Sequence, residues 1–174
     1  MEIILICLAA FLASLLTFFS GFGLGTILMP VFALFFPLEM AIALTGVVHL
    51  LNNFFKIYLV GKEANWGIVL KFGGTAVISA LIGAWLLMSF SENSEWYVYA
   101  LGGKEFVITP IKVVVAFLMF GFAFLELMPF FKKLEFAENK LFIGGVISGF
   151  FGGLSGHQGA LRSAFLIKYG LSKE

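Results

Sequence analysis

Three stretches of this 174-residue chain, residues 3–38, 72–91 and 141–161, contain no Asp, Glu, Lys or Arg. A helix of about 20 apolar residues crosses the roughly 30 Å hydrocarbon layer of a bilayer. In that layer the backbone must satisfy its own hydrogen bonds, which a helix does within one segment. The chain is therefore expected to be an all-α membrane protein, a polytopic transmembrane helix bundle with the lipid bilayer as its surroundings. Charged residues make up 12% of the chain and the mean hydropathy is +1.05; a soluble domain carries about a quarter charged residues, so a water-facing surface cannot be built from this material.

The net charge is +1, so there is no basic excess to neutralise phosphates, and nucleic acid is excluded as a partner. Glu2 stands where a signal peptide would be basic, and the apolar run continues past any cleavage point, so the first helix is expected to be retained. The one cysteine, Cys7, is expected to pack as a small apolar residue. His49 and His157 are 108 positions apart with no Cys or Asp close by, a poor metal site. No nucleophile elbow or phosphate-binding loop is present; neither catalysis nor a cofactor is implied.

Residues 3–38 are too long for one crossing and are expected to break at Ser20-Gly21-Phe22-Gly23-Leu24-Gly25, where alternate glycines favour an unwound segment; Pro30 and Pro37 should limit the helix that follows. Further helices are expected at about residues 38–59, 66–90 and 106–130, and a fifth from Leu141 to a second glycine-rich break at residues 149–159. Lys56, Lys62 and Lys71 bracket the first loop and Lys132, Lys133 and Lys140 the third, which places both in the cytoplasm and the chain in the cytoplasmic membrane. Trp96, Tyr97 and Tyr99 then belong to the outer interface and Trp66 to the inner one.

An offset of 135 residues lays Ser20-Gly21 on Ser155-Gly156 and Glu39 on Glu174 without a gap. This predicts duplicated repeats with interrupted helices, the first over residues 1–140 and the start of a second, truncated one over residues 141–174; such a pair points to a transporter binding site. Gly21-Phe22-Gly23-Leu24-Gly25-Thr26-Ile27-Leu28-Met29-Pro30 resembles the glycine-rich, proline-terminated signature of the sulfite exporter TauE/SafE (TSUP) family. Residues 149–160 are similar to its second copy, departing at His157 and Gln158, where apolar residues or glycine are common, and at Phe165, where the aligned proline is missing. The resemblance implies transport of a small anionic solute, often a sulfur oxyanion or organosulfonate, across the cytoplasmic membrane.

Thr45, His49, Asn52, Asn53 and Lys56 share one face of the helix expected at residues 38–59. Polar groups in hydrocarbon must face protein or a wet cavity; they either hydrogen-bond neighbouring helices or meet solute, and Lys56 can instead snorkel. At the second break His157, Gln158 and Arg162 offer ring nitrogens, an amide and a guanidinium beside a helix N-terminus, a natural oxyanion site unless Arg162 anchors at an interface. With Gly21, Gly23 and Gly25 of the first break, these form the candidate substrate site. Glu126 and Lys112 are expected to reach headgroup level, and Gly73, Gly74, Gly83, Gly144 and Gly145 to permit close helix packing. The functional expectation is a secondary transporter of small anions working by alternating access. A non-transporting membrane subunit or inactive fragment is the alternative, an anion channel a third option; a homo-oligomer or a missing C-terminal half would be the protein partner.

Overall fold

The computed structural model describes residues 2–20, 23–91, 95–128, 140–157 and 159–166. Seven helices run α1 (Glu2–Ser20), α2 (Leu24–Ala33), α3 (Leu38–Val60), α4 (Trp66–Ser91), α5 (Pro110–Leu127), α6 (Leu141–Ser155) and α7 (Gly159–Leu166). Three of them, α3, α4 and α5, are long and apolar enough to cross a membrane. Their outward faces carry Leu51, Phe54, Ile78, Leu81, Trp85, Phe117 and Phe120, all more than half exposed. In water such a surface would aggregate; against acyl chains it is the stable arrangement. Cys7 lies on the exposed side of α1 rather than in the packed interior expected for it.

The helix boundaries follow from local chemistry. Asn65 caps α4, its side chain accepting from the N–H groups of Gly67 and Ile68 at 3.1 and 3.3 Å. Residues 69–73 of α4 form a π-helical turn. α5 starts at Pro110 and not at residue 106, because Thr109 caps it and Pro110 supplies the fixed φ suited to a first helical position. The residues before it are a strand: β1 (Tyr97–Leu101) and β2 (Lys104–Ile108) pair antiparallel across Gly102-Gly103, whose φ of 59° and 77° suit a two-residue hairpin turn. The fold is thus mostly helical, with one β-hairpin that an all-α expectation left out. Tyr99 stacks on Phe106 across it, centroids 5.3 Å apart. Pro30 lies inside α2 instead of limiting it.

The core of the bundle is the contact between α4 and α6. A Cβ added to Gly145 would strike Phe72 and Thr75; to Gly149, Ala76 and Ser79; to Gly153, Ala80. These glycines recur every four residues, so one face of α6 lies backbone to backbone on α4, the small-residue mode of membrane helix packing. Gly83 faces Phe150 and Leu154 in the same way. Facing residues rise together along both helices, so α4 and α6 are parallel. Gly73 and Gly74 have no neighbour within 4 Å and take no part.

Both short helices fold back. Phe165 of α7 rests on Gly144 in the first turn of α6, and shares a core cluster with Ile68, Phe72 and Leu141. Ala13, Leu24, Leu28, Phe32 and Ala41 cluster with Ile6 and Ala10, so α2 returns along α1. The open end of α1–α2 meets the start of α3, near Leu87 and Ile111; that of α6–α7 meets the start of α4. The two hairpins therefore enter the bundle from opposite ends. An offset of 135 residues carries the end of α1, Ser20, onto the end of α6, Ser155, and the start of α2, Leu24, onto the start of α7, Gly159.

Candidate functional site

The hairpin tips meet beside the second half of α3. At the first tip Gly23 caps α2 with φ 98°, a left-handed conformation that suits glycine. Ile27 N–H to the carbonyl of Gly23 is the opening bond of α2, which leaves the amides of its first turn without an intrahelical partner. At the second tip Gly156 turns the chain out of α6 with φ 72°, its N–H donating to the carbonyl of Gly152 at 2.8 Å. The second break is narrower than residues 149–159, because Gly149, Gly152 and Gly153 stay helical. The tips touch directly: a Cβ on Gly25 would lie 2.5 Å from the Gly156 carbonyl oxygen and 3.3 Å from His157 Nδ1.

Between tips and α3 lies a cleft walled by Thr17, Gly23, Leu24, Gly25, His49, Asn52, Asn53, Lys56, His157, Gly159 and Arg162. Its volume is about 20 Å³, the scale of one water. Seven of the nine candidate site residues line it; Gly21 and Gln158 lie outside the described residues. His49 and Asn52 are half-buried and Asn53 is exposed. Lys56 turns inward, its Nζ 5.7 Å from the centroid of the Phe18 ring, a cation–π approach in place of simple snorkelling. Thr45 does not reach the cleft: it is fully buried and its hydroxyl donates to the Ala41 carbonyl at 2.8 Å. His49, Lys56 and Arg162 make one wall basic, and the first turns of α2 and α7 add the partial positive charge of helix N-termini.

Behind the cleft sits a group that the sequence did not point to. Glu126, in the last turn of α5, is 9% exposed and faces His157, 2% exposed, with Oε1 and Nε2 3.3 Å apart. Thr26 of α2 donates its hydroxyl hydrogen to Glu126 Oε2 at 3.0 Å and also lies 3.0 Å from His157 Nδ1. Phe122 covers the imidazole, ring centroids 5.4 Å apart. Glu126 thus does not reach the headgroups; Lys112 is tied locally, its ammonium donating to the Val107 carbonyl at 2.7 Å. Glu126 Oε1 and His157 Nε2 are buried and have no hydrogen-bond partner, and each such orphan costs about 1–3 kcal/mol. A carboxylate just before the end of an apolar helix reads as a headgroup anchor; a Thr inside the glycine-rich signature was the one available hint.

Two broken helices meeting tip to tip, inserted from opposite ends of a lipid-facing bundle, form a transporter-like arrangement. A model of the sulfite exporter TauE/SafE family matches residues 6–174. The chain belongs to this family. As a TauE/SafE protein it is a multi-pass membrane transporter and not an enzyme. No match was found among curated proteins or among solved structures. The family's two glycine-rich signatures fall on the two hairpin tips.

Proposed function

We propose that this TauE/SafE transporter moves small oxyanions or organosulfonates across the cytoplasmic membrane, holding the anion in the cleft between the hairpin tips and exchanging its access by motion of one hairpin against the other. The observation that carries this reading is the convergence of Arg162, His49 and Lys56 with two helix N-termini in an otherwise apolar bundle. Burying that much positive character without a ligand is unfavourable; an anion offsets it. Arg162 would grip two oxygens side by side, the amides of Asn52 and Asn53 would donate to a third, and the backbone N–H groups after Gly23 would complete the shell. The small volume suits an occluded stage of a cycle better than an open pore, because an ion larger than water must spread the tips to enter.

Anion-dependent thermal stabilisation of the purified protein, across sulfite, sulfate, thiosulfate and small sulfonates, tests the site. A rise in Tm with at least one anion is expected, and its loss in both His49→Ala and Arg162→Ala. Wild-type shifts in both variants would remove their assigned role. Flux in proteoliposomes separates the transporter from a non-transporting subunit, which gives none.

A further inference from the structure

We propose that Thr26, Glu126 and His157 form the coupling-ion site of this transporter: a buried triangle that takes up one proton and carries it with the anion. The inference rests on the anion-transport reading for its coupling, and on hydrogen counting for the proton itself.

Three contacts close the triangle: Thr26 Oγ1 to Glu126 Oε2, Thr26 Oγ1 to His157 Nδ1, and His157 Nε2 to Glu126 Oε1. Each needs a hydrogen between its two heteroatoms. A hydroxyl supplies one, a neutral imidazole one and a carboxylate none, so two hydrogens must serve three contacts. When Thr26 donates to Glu126, the ring hydrogen has to sit on Nδ1, and a bare Nε2 then faces a bare carboxylate oxygen. When the ring hydrogen sits on Nε2, Thr26 has to donate to Nδ1, and its oxygen then faces Oε2 with nothing between. A third hydrogen, on the imidazole or the carboxyl, completes the triangle in either case. The unpartnered Glu126 Oε1 and His157 Nε2, opposed at 3.3 Å, mark where it belongs.

The position fits coupling. Thr26 belongs to one hairpin, His157 to the tip of the other and Glu126 to α5, so the proton holds three separate elements together. Without it two acceptors oppose one another in a dry site and drive the contact apart. His157 also lines the cleft, so an anion there favours the added positive charge, and by reciprocity the proton favours the anion. The other charged or titratable groups on the packed elements are His49 and Lys56 of α3 and Arg162 of α7, all on the cleft side; Glu39 lies in the first turn of α3 and Lys112 in that of α5. The cleft-side cations oppose proton uptake until an anion balances them, which makes the two bind together.

The test uses the reconstituted protein with thiosulfate as probe, the membrane potential clamped by potassium and valinomycin, and a pH dye in the lumen. A thiosulfate gradient should move protons in the same direction. Glu126→Gln carries its own amide hydrogens and mimics the protonated triangle; it should keep thiosulfate–thiosulfate exchange and lose gradient-driven proton movement to the level of protein-free vesicles. Thiosulfate flux without proton movement in the wild type, or wild-type coupling in Glu126→Gln, overturns the proposal. If the wild type shows neither flux nor exchange, the anion-transport reading fails for this probe and the triangle is judged separately. His49 and His157 are the two histidines of the chain, so a His49→Gln protein labelled with 15N-histidine reports His157 alone. Its ring nitrogens should change protonation in one step between about pH 5 and about pH 9, and the step should be lost in Glu126→Gln; nitrogens that hold one state over that range sink the proton site.

Discussion

At Gly25 a single methyl group separates two outcomes for the whole site. A Cβ there would press on the Gly156 carbonyl, a backbone atom that cannot turn aside. Gly25→Ala should therefore part the tips and destabilise the protein by about 1–3 kcal/mol, read as a lower Tm in detergent together with loss of the anion-induced rise. Gly46→Ala, with nothing within 4 Å of its added methyl, should leave Tm unchanged or raise it, since alanine favours a helix by about 1 kcal/mol over glycine. Equal losses in both would remove the tip contact as the cause. Arg162→Lys keeps the charge but gives up the two-pronged grip; about tenfold weaker anion binding is expected, roughly the 1.4 kcal/mol of one charge-assisted hydrogen bond, measured by anion titration of the Tm rise. His49, Asn52, Asn53 and Arg162 were legible in the sequence because a polar side chain within an apolar run must face something other than lipid. Glu126 was not, because one dimension does not tell a carboxylate at the headgroups from one folded under a second hairpin. Thr26 was hidden for the same reason: its partners are 100 and 131 positions away.

Among the elements, α4 and α6 form the contact on which the second hairpin is built. Gly149 faces the Ala76 carbonyl and the Ser79 hydroxyl, and neither can yield without bending α4. Gly149→Val should cost more than Gly25→Ala, since two further methyls enter the same gap, and it should move the tip carrying His157 even though residue 149 does not line the cleft. The measurement is the unfolding midpoint in denaturant together with anion flux; a folded Gly149→Val with normal flux would show that this ridge does not position the tip. The spacing Gly145, Gly149, Gly153 could have been read from the sequence as a packing face, but those glycines were assigned to the break. Flexibility and close approach both select glycine, and only the partner helix decides between them. The β-hairpin was missed on similar grounds: Tyr97, Tyr99 and Phe106 look like interface aromatics until Gly102-Gly103 is seen to pair their strands. Where a local cap settled the matter, at Asn65 and at Thr109-Pro110, the helix start is visible in a few residues.

For the whole molecule, the helix count and the two breaks came from one-dimensional apolar runs, whereas the opposed entry of the hairpins needed contacts between residues far apart in sequence. That opposition has a consequence for topology. Three successive crossings by α3, α4 and α5 put the turn at Lys62 and the β-hairpin at Glu105 on opposite faces of the membrane. The lysines around the first loop place it in the cytoplasm, so the α1–α2 hairpin enters from outside and α6–α7 from inside. Single cysteines test this in a Cys7→Ser background: Lys62 and Glu105 are both exposed, and neither touches the cleft. A membrane-impermeant maleimide should label Glu105→Cys in intact cells and Lys62→Cys only after permeabilisation. Labelling of both from one side would break the three-crossing arrangement, and with it the opposed hairpins. The reverse pattern would keep the fold and invert its orientation, which would put the weak positive-charge bias of these loops at fault.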